Sequence, residues 1–307
     1  MPAPEPSSQT TPVAIVGAGA VGTTLARRLV AVGTPVRAVL SRTAASARAL
    51  SDRVGAPVGT NEWTALPAEV RMVVLCVPDD AVADVARTLA GLDHPWSETV
   101  VAHTSGVHTA EVLAPLAEQG AAPLSFHPLQ TVPPNTPPEA LVDIVIGVEG
   151  PPPAVAAGTA LAQTLGARPL VLSAAQKARY HCAAALASNG LVALMGVVQE
   201  LLAGVGDDSV RAVDAVAPLV DQTWENLKTA APERVLTGPV ARGDRDTVVA
   251  HLDALANDTP HLAPLYAALS TEMIRLAVRG GQLEAGEAEA LGTLLQTRLQ
   301  QPPNNTG

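Results

Sequence analysis

"PVAIVGAGAVGTTLARRLV", residues 12–30, decides the fold. A β-branched apolar run meets three glycines and passes at once into helical spacing. "PVAIVG" (12–17) predicts a strand. Val21, Leu25, Leu29 and Val32 then recur as one face of a helix over 20–32, and Gly33 stops it. Gly17, Gly19 and Gly22 stand between the two in G-x-G-x-x-G spacing. The motif is weak alone, but directly between a strand and a helix it marks a phosphate site. Gly17 permits the tight turn, Gly19 lets the backbone approach a pyrophosphate, and Gly22 lets the helix lie on the strand. Ala18, Ala20 and Val21 complete the loop, and the first helical turn offers amide donors and a positive dipole end. These residues point to a bound dinucleotide.

The pattern continues outward. "PVRAVL" (35–40) reads as a strand, 44–54 as a helix, and "VRMVVLCV" (70–77) as a strand buried on both faces. A helix over 80–89, a strand "TVVAH" (99–103) and a helix near 108–118 follow. Strands near "APLSF" (122–126), "DIVIGV" (143–148) and "RPLVL" (168–172) complete the half. Alternating strands and helices predict an α/β domain with a mostly parallel, doubly wound sheet over 12–173. From 174 to 299 only helical patterns appear: 174–203, 207–229, 245–256, 261–279 and 284–299. They predict an all-α second domain. Residues 1–11 and 300–307 read as disordered tails.

Composition narrows the function. The chain has 307 residues, 48% of them hydrophobic but only 2% aromatic, so Ala, Val and Leu must fill the interior. A net charge of −10 excludes the broad basic footprint of nucleic-acid binding. Cys76 and Cys182 sit in apolar runs without metal-ligand spacing, which suits buried thiols in a reducing, cytoplasmic compartment. The run Cys182–Val198 is broken by Ser188, Asn189 and Gly190 and reads as a buried core helix rather than a membrane span.

The end of the second strand selects the dinucleotide. An Asp or Glu there would bond a ribose 2′-hydroxyl. This chain has Ser41, Arg42 and Thr43 instead. Arg42 can clamp a 2′-phosphate while the two hydroxyls donate to it, so the expected cofactor is NADP(H). Val77, Pro78 and Asp79, at the end of the third strand, should line the same groove.

The reacting end should lie beyond the fourth and fifth strands. "AHTSGVH" brings His103, Thr104 and Ser105 there, with His108 unremarkable at a helix start. "SFHPLQT" brings His127, a candidate acid or substrate donor. The helix from 174 carries Lys177, one of two lysines among 19 basic residues. At about 100° per residue, Lys177, His181 and Ser188 fall within roughly 40° of one another, and Asn189 lies about 120° from Lys177. This polar stripe on an apolar helix suits a cleft, where a lysine can polarise a carbonyl oxygen. "LTGPVARGD" (236–244) turns at Gly238-Pro239 and offers Arg242 to a substrate carboxylate.

Together "AIVGAGAVGTTLA", "VLSRT", "HTSGV", "SFHPLQT", "KARYHCAAALASN" and "LTGPVARGD" resemble bacterial proteins that join a Rossmann-like domain to an uncharacterised helical domain. The layout is similar to pyrroline-5-carboxylate reductase, ketopantoate reductase and the β-hydroxyacid dehydrogenases. The resemblance implies a helical domain of the 6-phosphogluconate dehydrogenase-like type, an NADP-dependent oxidoreductase, and a homodimer formed through the helices. Lys177 resembles the lysine opening the K-x-x-x-N motif of the last two groups, but His181 stands where their Asn is expected. "FHP" resembles the His-Pro of prephenate dehydrogenases, whose histidine serves the reacting hydroxyl. The expected reaction is hydride transfer to or from a small carbonyl acid. Lys177 and His127 would stabilise or protonate the oxygen; His181, Ser105 and Asn189 would orient it; Ser188 and Arg242 would bind substrate. An imine reductase and a non-catalytic NADP-binding sensor or scaffold are the alternatives.

Overall fold

The computed structural model describes residues 11–205 and 211–300, so the expected tails fall almost wholly outside the described residues. Cα packing divides the chain into two units, 1–188 and 189–307. Strands cease at about residue 173, but the start of the following helix packs with the sheet.

The first unit runs β1 (Val13–Val16), α1 (Ala20–Ala31), β2 (Val36–Leu40), α2 (Ala44–Val54), β3 (Val58–Thr60), β4 (Met72–Leu75), α3 (Val82–Ala90), β5 (Val100–His103), α4 (Ala114–Ala117), β6 (Ala122–Pro128), β7 (Val145–Glu149), α5 (Pro152–Thr164), β8 (Arg168–Val171) and α6 (Ala174–Ala185). The eight strands form one sheet in the order β3-β2-β1-β4-β5-β6-β7-β8. All neighbours are parallel except β6 and β7. The order in which strands are added switches sides between β1 and β4, and in such sheets the carboxyl ends on either side of that switch bound a crevice.

Alternation along the strands builds two cores. Val13 and Ile15 face one side with Leu25, Leu29 and Phe126. Ala14 and Val16 face the other with Leu75, Leu89 and Trp96. Leu25 and Leu29 are fully buried, each contributing roughly 1.5–3 kcal/mol relative to exposure.

Several elements depart from the sequence pattern. β3 and α5 had no counterpart in it: β3 is three residues long, and α5, rich in Ala, has too weak an amphipathic contrast to stand out. The helix expected near 108–118 is a 3-10 turn, Ala110–Leu113, followed by the short α4.

The second unit holds α7 (Leu191–Leu201), α8 (Ala212–Thr229), α9 (Pro232–Val235), α10 (Arg245–Asp258), α11 (Ala263–Arg279) and α12 (Ala285–Gln300). Its core gathers Val240, Val248, Leu252, Ile274, Leu291 and Leu295. The expected single helix over 174–203 is interrupted by a π-turn, Leu186–Gly190. It is also not a buried core helix: Lys177 is its one buried residue, while Leu186 and Val192 are 69% and 72% exposed. Cys182, expected to be buried, is exposed as well. By length and composition Ala174–Leu201 could cross a membrane; Lys177, Tyr180 and Ser188 instead bond residues of the sheet unit.

Candidate active site

The glycine loop leaves the carboxyl end of β1 as the spacing requires. Gly17 has φ +107°, and a Cβ there would overlap the Cys76 carbonyl of the neighbouring strand. A Cβ on Gly22 would overlap the Gly17 carbonyl, so both positions exclude any side chain. Gly19 faces open space. It caps α1 without a side-chain hydrogen bond, leaving the first-turn amides free for an acceptor. Beyond them lies a groove of about 700 Å³ lined by Gly17, Ala18, Gly19, Ser41, Arg42, Thr43, Val77 and Pro78. Bare glycines, open helix amides and a groove over the strand ends fit a nicotinamide dinucleotide.

The groove also draws on Ser46, Asn61 and Trp63, which the sequence had not singled out. Thr43 is the N-cap of α2. Its hydroxyl accepts from Ser46 N and donates to Ser46 Oγ at 2.8 Å. Arg42 is exposed at the groove's edge. Asp79 opens a 3-10 turn, and Asp80 rather than Asp79 lines the groove.

The loop after β5 is tied on every side. Lys177, 1% exposed, reaches across from α6 and donates to the Ser105 carbonyl at 2.8 Å. The Ser105 amide donates to His103 Nδ1 at 3.2 Å, and His103 Nε2 meets Thr109 O at 3.1 Å. His103 is therefore the Nε2–H tautomer, held neutral by burial, which lowers its pKa to about 4. The Glu149 carboxylate accepts from Ala110 N at 2.7 Å, and His108 Nε2 meets Asp79 O at 3.2 Å. Across the sheet His103, Ser125 and Glu149 stand in register on β5, β6 and β7.

Ser105 first serves its own loop. Its hydroxyl accepts from the amides of Val107 and His108, at 3.3 and 3.2 Å, and so shapes the turn. Its carbonyl, not its hydroxyl, meets Lys177. Thr104 donates to Leu75 O through its hydroxyl at 3.3 Å, also a structural bond.

Above this turn three side chains converge. The rings of His127 and His181 stand 5.9 Å apart, nearly perpendicular. Gly106 lies between them: a Cβ would overlap His181 Nδ1 and come within 2.9 Å of His127 Nε2. Tyr180 Oη is 3.1 Å from His127 Nδ1. Burial pushes the Lys177 pKa down to about 8, against the pull of Glu149 and Asp79. Burial, then the charges of Lys177 and His181, lower His127 to about 4. At neutral pH His127 is therefore an uncharged imidazole, not the imidazolium acid that its ordinary pKa suggests.

Ser188 Oγ meets Thr131 Oγ1 at 3.1 Å, beyond the end of β6. The π-turn adds a residue to the helical repeat, so the 100° phase does not carry past Leu186. Asn189 and Arg242 belong to the second unit. Both are exposed. Asp244 does not pair with Arg242: its carboxylate caps α10, accepting from Thr247 N and Thr247 Oγ1.

The family models divide the chain elsewhere, between β6 and β7. Residues 3–128 match a Rossmann-like domain, and residues 144–273 match DUF2520, a domain of unknown function. No curated protein matches this chain. Among solved structures, a candidate NADP oxidoreductase from Bacteroides fragilis is 26% identical, with a TM-score of 0.68 over 86% of this chain and 97% of that one. A reductive aminase from Aspergillus terreus, in complex with NADPH and ethyl levulinate, is 21% identical, with a TM-score of 0.59 over 95% and 94%. A pyrroline-5-carboxylate reductase from Coxiella burnetii is 14% identical, with a TM-score of 0.59 over 92% and 99%. The last two share the fold.

Proposed function

We propose that this protein is an NADP(H)-dependent oxidoreductase that moves hydride to or from a small carbonyl substrate. The observation that carries the reading is Lys177, an almost fully enclosed ammonium fixed on Ser105 O beside two imidazoles. A buried cation is costly unless a partner uses it. The nicotinamide, when bound, supplies or accepts the hydride. Lys177 then holds the oxygen on which negative charge develops, and its pKa of about 8 keeps its proton close to release. His127 and His181 hydrogen-bond the same oxygen or its neighbour. Arg42, Ser41 and Ser46 fit a 2′-phosphate. Arg242 is our proposed partner for a substrate carboxylate, on the chemistry of its guanidinium. The free cysteines accord with a cytoplasmic location.

The same cation argues against imine reduction. A protonated imine beside it would meet repulsion of about 4 kcal/mol at 4 Å and an effective dielectric of 20. NADPH oxidation on matched 2-oxo acids and cyclic imines tests this. Carbonyl turnover should fall as pH rises through about 8, where Lys177 deprotonates, whereas imine turnover would rise. Lys177→Met should lose about 10²–10³-fold in kcat. Full turnover in that variant would remove Lys177 from the mechanism. Tight NADPH binding with no oxidation across the panel would favour a sensor or scaffold. The unfolded chain holds the Lys177 proton up to its ordinary 10.5, the folded chain only to about 8. Stability should therefore rise with pH across that window in the wild type and stay flatter in Lys177→Met.

Val192, Leu219 and Trp224 of the second unit expose apolar surface, and we propose a second copy of the chain as its cover. A monomeric mass by light scattering at micromolar concentration would remove the dimer.

A further inference from the structure

We propose that Tyr180 is a positioning residue that fixes the tautomer of His127. In this arrangement the phenol donates to His127 Nδ1, leaving His127 Nε2–H as a donor toward the Gly106 turn and the substrate.

Three observations meet here. First, Tyr180 Oη lies 3.1 Å from His127 Nδ1, and the rings pack edge-to-face with centroids 5.6 Å apart. The competing acceptor, the His127 carbonyl, is more distant at 3.4 Å. Second, the phenol is held in place. Its ring lies on Gly147 of β7, where a Cβ would come within 3.0 Å of both Cζ and Oη. The missing side chain at Gly147 is what lets Tyr180 reach β6. Third, the opposite edge of His127 faces the working space. Nε2 borders the position that a Gly106 side chain would fill, and His181 Nδ1 borders the same position. That His181 nitrogen is buried without a hydrogen-bond partner among the described residues.

A neutral imidazole carries one donor and one acceptor. When Nδ1 accepts, the hydrogen sits on Nε2. The charged or titratable groups facing His127 are Lys177 and His181 on α6 and Asp79 beyond β4. With Lys177 cationic, a second charge on His127 is disfavoured, so its useful property is the direction of its hydrogen bond. Burial raises the Tyr180 hydroxyl to about 12, so it remains a donor throughout the working range.

The catalytic consequence rests on the proposed function; the tautomer does not. The test is ¹⁵N NMR of histidine-labelled full-length protein, with and without NADPH, assigned through His127→Gln. The wild type should show His127 with Nε2 protonated and Nδ1 in the acceptor range. Tyr180→Phe should lose that preference and lower kcat about tenfold, one hydrogen bond's contribution, leaving NADPH affinity unchanged. Gly147→Ala keeps the hydroxyl but displaces the ring and should shift the tautomer likewise, which covers the case in which Tyr180→Phe fails to fold. A protonated Nδ1 in the wild type, or unchanged spectra in the variants, overturns the proposal. The expected spectra without any NADPH oxidation would leave the tautomer assignment standing and sink the oxidoreductase reading.

Discussion

The loops after β1 and β5 leave the same edge of one sheet and are built in opposite ways. The first is a site of omission. Gly17 and Gly22 are bare because side chains would overlap carbonyls, and Gly19 is bare before open space. The second is a site of tethers. Ser105 is held by Lys177 from 72 residues away, and Ala110 by Glu149 from 39 away. A backbone that must hold a phosphate needs room and free amides. A backbone that supports chemistry must be fixed within a fraction of an ångström, and that takes buried partners. The two should therefore fail differently.

Gly22→Ala should be the most damaging change. Its new methyl meets backbone, which cannot rotate away, so helix and loop must separate. NADPH affinity should fall at least 10²-fold by fluorescence titration, with a Tm loss reflecting strain on the order of 1–3 kcal/mol. Gly106→Ala is the matching change in the other loop. Its methyl meets the rings of His181 and His127, which can swing aside. The fold and NADPH affinity should survive while kcat falls about 10²-fold, since small misplacements at a reacting centre cost that much. Loss of NADPH binding in Gly106→Ala would mean that the loops are not separable.

The same contrast explains what the sequence disclosed. The glycine loop could be read because a local backbone requirement leaves a local pattern. The doubly wound sheet followed for the same reason, from alternating runs. The tethered loop was only half legible. Lys177, His127 and His181 stood out as residue types, but nothing nearby says that Lys177 meets a carbonyl or that the Ser105 hydroxyl accepts from the amides of its own turn. Tyr180 and Glu149 were passed over because their partners lie on other strands. Gly147 was the available hint, a bare residue inside an apolar strand, where close approach of another group is the usual cause. The burial expected of the helix from 174 came from composition, which cannot distinguish a face covered within the chain from one left exposed.

Arg42 offers the finest test of the comparison, because it is the one charged side chain proposed to act in a site otherwise made of backbone and hydroxyls. It is exposed and makes no ion pair among the described residues. Removing it should leave the fold and the pyrophosphate amides untouched. Hydrogen bonds to a charged group contribute about 1.5–3 kcal/mol, so Arg42→Ala should weaken NADPH about 10–100-fold and leave NADH nearly unchanged. That contribution should also shrink with added salt in the wild type, since an exposed guanidinium is screened over about 10 Å at 0.1 M. Equal affinity of the wild type for NADH and NADPH would show that the second strand's end does not select the cofactor. In that case the site of omission would read only the pyrophosphate, and neither Arg42 nor the hydroxyls beside it would discriminate.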